Sequence, residues 1–299
     1  MKNLLFTIIF SCCIFFPPFS QVVVTAQGNM QDLKKNDADK KNDVDKSFDA
    51  TIKCYYTFSQ TNEKKEVHTD TMALLIGDTK SKFFNPARQI RDSIFSSIIG
   101  NINPSTIQSI SVMKGDDLAE RPGNVSVADF NDGESYQIFK YRTTGTLTFI
   151  DYTDMMSGSY EYKDKFESSS WQMVQDTASL LGYPCQKATI DFRGREFIAW
   201  FSTDIPVNDG PWKFMGLPGL ILKIHDTGNI FCFELIGIEH INPPIPVQIP
   251  KARYDCNRSE LEKLKKKQSK SMQINVNGGN IVISSSKETL HYNPIELDH

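Results

Sequence analysis

A chain of 299 residues with 33 basic and 36 acidic side chains carries a net charge of −3 and a pI near 6.0. That balance excludes the whole-surface attraction to nucleic acid that a strongly basic protein exerts. Hydrophobic residues make up 39% and charged residues 23%, a globular composition with enough apolar material for a packed core.

The first 26 residues read as a targeting signal. Lys2 opens a short positive stretch, Leu4 to Phe16 is an apolar run too short to span a bilayer comfortably, and Val24-Thr25-Ala26 offers the small residues of a cleavage site. Cleavage leaves Gln27 first and a periplasmic or secreted product. Ser11 also suits the position before a lipidated cysteine at Cys12 or Cys13, but the apolar segment continues through Ile14-Phe-Phe-Pro-Pro, which favours cleavage over lipidation. No later apolar run approaches the roughly 20 residues of a membrane-spanning helix. Residues 27–48 are rich in Lys, Asp and Asn and are expected to form a charged, disordered tether.

From residue 49 to residue 250 the pattern is that of one antiparallel β domain. Ile52, Cys54, Tyr56 and Phe58 alternate with polar neighbours, and strands follow over Thr71–Ile76 and Ser81–Phe84. Asn85-Pro86 reads as an N-cap and first turn of a helix, with Ile90, Ile94, Phe95, Ile98 and Ile99 on an apolar stripe ending at Gly100. Asn103-Pro104 repeats the signal for a second helix carrying Ile107 and Ile110. Residues 115–133 read as a surface loop, in which Asp129-Phe-Asn-Asp-Gly133 is a β-turn, one residue short of a calcium-loop pattern. Strands resume over Ser135–Arg142, Thr146–Tyr152, Tyr160–Tyr162, Trp171–Val174, Cys185–Phe192, Glu196–Ser202, Leu220–His225 and Ile230–His240, joined by short turns. Asn242-Pro-Pro-Ile-Pro246 and Pro250 are expected to break the succession. Residues 251–270 hold eight Lys/Arg against three acidic residues. They read as a basic helix or solvated arm, able to meet anionic head groups at a membrane surface. A last hairpin over Gln273–Ser284 packs on the same domain. The fold expected is mainly β, a single curved antiparallel sheet or partly open barrel with a few short helices.

Four cysteines, Cys54, Cys185, Cys232 and Cys256, enter an oxidising compartment; one or two disulfides or buried free thiols both fit their spacing. No Gly-x-Ser-x-Gly, His-Glu-x-x-His, P-loop or Gly-x-Gly-x-x-Gly occurs, and the five histidines stand singly. His225 and His240 flank one expected hairpin, a weak pair of metal ligands, and no cofactor is implied. Trp171, Trp200 and Trp212 crowd one third of the chain with Phe192, Phe197, Phe201 and Phe214. They fill a core or line a cavity for an apolar ligand. Arg193 and Arg195 flank a hairpin glycine, where a partner's carboxylate or phosphate could meet them.

The densest punctuation lies in Asp209-Gly-Pro-Trp-Lys-Phe-Met-Gly-Leu-Pro-Gly-Leu-Ile. Pro218-Gly219 suggests a type II turn with a left-handed glycine. The letters Gly216-Leu217-Pro218-Gly219-Leu220-Ile221 resemble the name-giving motif of the GLPGLI (Porph_ging-type) family of bacterial envelope proteins. Gly182-Tyr183-x-Cys185, Phe192-x-Gly194-Arg195, Trp200-Phe201, Gly210-Pro211-Trp212-Lys213-Phe214 and the ending Asn293-Pro-Ile-Glu-Leu297 extend the likeness. The resemblance implies a Gram-negative envelope location and work beside outer-membrane TonB-dependent receptors. It implies no catalytic residues. A fainter likeness is to lipoprotein-carrier (LolA-like) half-barrels, in which helices plug a curved sheet. The expected function is a non-enzymatic binding or accessory protein, holding a lipid-like ligand or docking an envelope partner. Gly210, Pro211, Trp212, Gly216, Leu217, Pro218 and Gly219 form its motif loop, and Trp212, Phe214, Trp200 and Arg195 are its candidate contacts. A hydrolase with a loop-assembled site and a metal-handling protein are the alternatives.

Overall fold

Alternation of apolar and polar side chains builds the molecule. The computed structural model describes residues 47–100, 109–114, 133–154, 158–266, 272–277, 280–285 and 294–297, all within one unit, Asn42–His299. In β1 (Ser47–Thr61), Cys54, Tyr56 and Phe58 are buried and the residues between them half-buried. The same period-two burial marks β9 (Tyr183–Phe192) and β10 (Arg195–Ser202), as expected of strands with one face on a core. Between them stand β2 (Val67–Ile76), β3 (Lys80–Phe84), β5 (Gln137–Tyr141), β6 (Thr146–Asp154), β7 (Gly158–Lys165) and β8 (Gln172–Leu180). The chain continues through β11 (Leu220–Asp226), β12 (Phe231–Gln248) and β13 (Tyr254–Asp255).

These strands form one open sheet of order β13-β7-β6-β5-β3-β2-β1-β12-β11-β10-β9-β8, antiparallel except for the short β13–β7 pair. The turns are local in cause: Leu181-Gly182 and Arg193-Gly194 both have positive φ (51°, 82°; 48°, 80°), the geometry of two-residue hairpins that match strand twist. The sheet is strongly curled. Eight strand spacings separate β7 from β10, about 38 Å in a flat sheet. Yet Lys213 Nζ lies 5.1 Å from the Tyr162 ring of β7, while the next residue, Phe214, meets Phe197 of β10 at 4.8 Å. The two flanks therefore face each other across a seam, as in a partly open barrel, and the main core lies inside the curl. A smaller core of Ala73, Leu75, Phe84, Phe139 and Ile150 lies on the outer face. Lys82 is buried there over the Phe84 and Phe139 rings. Burial pulls its amine down to about 8, and it donates to Gln89 Oε1 at 3.1 Å.

Several expectations are corrected. The first helix, α1 (Pro86–Gly100), starts as read, with Asn85 Oδ1 accepting from the Arg88 backbone at 3.0 Å. Of its apolar stripe, Ile90 and Ile94 are exposed, and among the helix side chains described the buried one is Arg88, held by Asp92 at 2.9 Å. The second helix is not formed where it is described: Ser109–Lys114 is strand β4, paired in parallel with β15 (Asn280–Ser285). Alternating Ser109, Ile110, Ser111 and Val112 carry a strand period that the Asn-Pro signal obscured. β15 pairs in turn with β14 (Met272–Asn277) as the expected hairpin. The prolines do not end the twelfth strand. β12 runs through Pro243, Pro244 and Pro246 to Gln248, with a cis Asn242–Pro243 bond and a register shift opposite Ala50/Ile52, the irregular position at which a sheet tolerates residues without an N–H. Among the described residues of the basic segment is a short helix, α2 (Arg258–Lys265), started by an Asn257–Glu260 capping box. Two of its basic residues turn inward: Lys265 Nζ donates to buried Asp151 at 2.8 Å, and Arg258 lies 3.2 Å from Glu296. Among the described residues no helix is long and apolar enough to cross a membrane. The signal, the tether and the Asp129–Gly133 turn lie largely or wholly outside the described residues.

Candidate functional site

The segment joining β10 to β11 enters the curl of the sheet and fills it. Trp212, Phe214, Met215 and Leu217 are buried; the Trp212 and Phe214 rings pack on Phe192 and Phe197, and Phe214 also meets Phe166, just past β7, and Trp171, just before β8. The Trp171 indole N–H donates to the Met215 carbonyl at 3.0 Å. Two residues set the path by left-handed backbone: Gly216 has φ +93° and Trp212 φ +51°, an uncommon state for a bulky residue. Gly219 is different. Its φ is not left-handed, so the expected type II turn is absent. A Cβ there would stand 2.0 Å from the Ser202 carbonyl oxygen. The position requires glycine because two backbones touch.

Polar pins hold the segment at both ends. Asp209 is fully buried with Lys140 of β5; the two form an ion pair, and Lys140 also donates to the Gly210 carbonyl. Arg142 reaches Asp209 Oδ2 at 3.2 Å and the Lys80 and Gly77 carbonyls at 3.1 and 2.6 Å. Backbone bonds tie Ile221 N–H to the Asp209 carbonyl (2.9 Å), and Tyr56 hydroxyl to the Ile221 carbonyl (2.8 Å). Burial lowers the Lys140 amine, with Asp209 pulling the other way. Burial, and then the Asp209 charge, push the Cys54 thiol up to about 12. Two cations thus share one buried carboxylate, and Arg142 is further held by the turn carbonyls.

The second set of pins spans the seam. Lys213 is fully buried, and its amine donates to Asp164 Oδ2 of β7 (2.9 Å) and Glu296 Oε1 (2.7 Å). It lies 5.1–5.4 Å from the Tyr162, Trp212 and Phe149 rings. Arg193 donates to Asp164 at 2.6 Å and lies 3.4 Å from Glu296. Burial alone would raise the Asp164 carboxyl, but Lys213 and Arg193 bring it below its ordinary value. Arg195 donates to the carbonyls of Ile295 (3.0 Å) and Pro294 (3.3 Å), and Leu297 N–H donates to the Arg193 carbonyl (2.9 Å). The chain itself thus supplies partners for both arginines: Asp164 and Glu296 for Arg193, and two C-terminal carbonyls with Asp226 at 3.9 Å for Arg195.

The remaining candidate residues fall as follows. Gly210 and Pro211 are buried and Pro218 is exposed. Trp200 is half-buried beneath the Lys187 amine at 5.8 Å. Trp212 and Phe214, 3% and 0% exposed, are core rather than surface. His225 and His240 are not brought together. His225 pairs with Cys232, and His240, opposite Ile52, lies eight residues further along β12, about 27 Å at strand rise. Among the described residues no three His, Cys, Asp or Glu gather as metal ligands. The four cysteines are free thiols, each raised chiefly by burial. Sequence reasoning missed Asp209, Lys140, Asp164, Lys213 and Glu296. A signal existed for Lys140, because Ile138 and Lys140 share one face of β5 and Ile138 is core.

Residues 193–223 match the profile of a family described as a protein of unknown function, Porph_ging. The match covers the Arg193-Gly194 turn, β10, the buried segment and the start of β11, a narrower stretch than the motif likeness suggested. No curated protein matches the chain significantly. Among solved structures it is similar to PNGF-II in the P21 and C2 crystal forms. Each alignment has 12% identity and a TM-score of 0.46, over 72% of this chain and 33% or 32% of that one. The chain therefore spans about a third of the length of PNGF-II. It is also similar to a DUF1329 family protein from Desulfovibrio piger, at 9% identity and a TM-score of 0.19, over 69% of this chain and 91% of that one.

Proposed function

With residues 193–223 carrying the Porph_ging signature, we propose that this protein is a non-enzymatic envelope protein that acts by docking a protein partner. It is exported by residues 1–26 and works in the periplasm, beside the outer-membrane TonB-dependent receptors with which the GLPGLI resemblance associates it. The observation that carries the reading is the filled curl. Where a lipid carrier of this plan would hold its ligand, Trp212, Phe214, Met215 and Leu217 already occupy the space. The polar groups of that segment, Asp209 and Lys213, are paired within the protein. The buried thiols are held protonated, which disfavours covalent catalysis through them. The metal-handling alternative loses its geometry with His225 and His240 on distant stretches of β11 and β12.

Native mass spectrometry of the protein exported into a Gram-negative periplasm, with organic extraction of the same sample, tests this. The expected spectrum is that of the processed chain alone. A lipid retained at one equivalent would overturn docking in favour of carriage.

A further inference from the structure

At the seam of the curled sheet, residues 294–297 lie as a peptide ligand lies in a receptor. Two of their backbone carbonyls accept from Arg195, and one N–H donates to the Arg193 carbonyl. Ile295 packs on the main core. The Glu296 carboxylate, 5% exposed, sits among Lys213 (2.7 Å), Arg258 (3.2 Å) and Arg193 (3.4 Å). The three cations come from the buried segment, from α2 and from the β9–β10 turn, so the fold assembles the socket from elements far apart in sequence. Without Glu296, the Lys213 and Arg193 cations would share the single negative charge of Asp164, a positive surplus even before Arg258 is counted. Lys213 is fully buried and would keep only Asp164 of its two carboxylate partners, a loss that disfavours an empty socket. The socket therefore favours an anionic occupant.

We infer that this socket is a recognition site for an acidic, extended peptide of the pattern apolar–Glu–apolar, filled in cis by residues 294–297 and opened to a partner by exchange. The inference deepens the docking reading, on which it rests for the existence of a partner. Backbone contacts supply a sequence-tolerant frame and the three cations select the carboxylate, the division of labour common in peptide recognition. A tethered ligand acts at an effective concentration on the order of millimolar, so the wild-type chain resists free peptide until its own segment is weakened.

The test uses the full chain and a fluorescein-labelled Asn-Pro-Ile-Glu-Leu peptide, read by anisotropy. Glu296→Ala is expected to bind it at least tenfold more tightly than wild type. A peptide with Gln in place of Glu should lose at least tenfold on the same variant. No saturable binding to Glu296→Ala, or equal binding of the two peptides, overturns the inference. If that variant does not fold, hydrogen exchange on wild type decides. Excess peptide should deprotect the Leu297 amide and leave Phe214 and Gly216 protected; an unchanged Leu297 amide overturns the exchange. Failure of the peptide with a lipid-free protein removes the socket and leaves docking in place, whereas a bound lipid removes docking whatever the peptide does.

Discussion

Asp209→Ala is expected to destabilise the protein by about 3–5 kcal/mol at neutral pH, the cost of stranding one member of a buried ion pair. Lys140 is fully buried, and its ammonium has Asp209 and the Gly210 carbonyl as partners. Removing the carboxylate leaves a charged amine in an apolar interior and frees the Gly210 N–H, which donates to Asp209 Oδ1 at 2.8 Å. Arg142 keeps its carbonyl partners on the β2–β3 turn and adds less to the loss. The sign with pH is fixed by Lys140, whose native value already lies below 10.5 through burial. Without Asp209 it falls further. Between that native value and 10.5 the unfolded chain binds the extra proton, so stability rises with pH there. The deficit against wild type should thus be largest near neutrality and shrink as pH climbs towards 10.5. Adding Lys140→Met should recover most of the loss, since an apolar replacement of both members is often neutral. Urea denaturation at two pH values for the single and double variants checks all three statements.

Gly219→Ala should cost about 3 kcal/mol or more, although alanine at a compatible glycine position usually stabilises by about 0.4–1 kcal/mol. The added Cβ would meet the Ser202 carbonyl oxygen at 2.0 Å, its carbon at 2.5 Å and the Thr203 nitrogen at 2.9 Å. All three are backbone atoms, so no side chain can swing away, and the buried segment must part from the end of β10. Gly182 is the control. It has φ +82°, but a methyl group added there would meet nothing within 4 Å. Gly182→Ala should therefore cost only the roughly 1–2 kcal/mol of a left-handed alanine. Thermal melts that place the two variants level would contradict the contact.

Most strands were legible because one-sided burial imposes period two, and Cys54, Tyr56 and Phe58 announce it. Local turn chemistry was legible too: Arg193-Gly194 makes the hairpin its letters suggest. Helix signals misled where tertiary pairing decided. Ser109–Lys114 became a strand because β15 offers it a partner, and α1 buries Arg88 while Ile90 and Ile94 stay exposed. The candidate site was half legible. Gly210-Pro211-Trp212 stood out as a braced indole, but its burial depends on the curl that brings β7 opposite β10, and no local pattern encodes that approach. Asp164, Lys213 and Glu296 drew no reading as a cluster, because the bonds that join them close loops of 49 and 83 residues. The roles of Trp212 and Phe214 follow from the same closure, since both rings become packing material inside it.

Hydrogen exchange across residues 209–221 of the native protein tests most directly whether this segment is fixed filling rather than a lid. The Phe214, Gly216 and Ile221 amides, bonded to the Pro211, Asn208 and Asp209 carbonyls, should exchange as slowly as the central amides of β10 and β11, opening only with global unfolding. Exchange orders of magnitude faster than those strands, at full native structure, would show a segment that opens onto a cavity and would contradict the account.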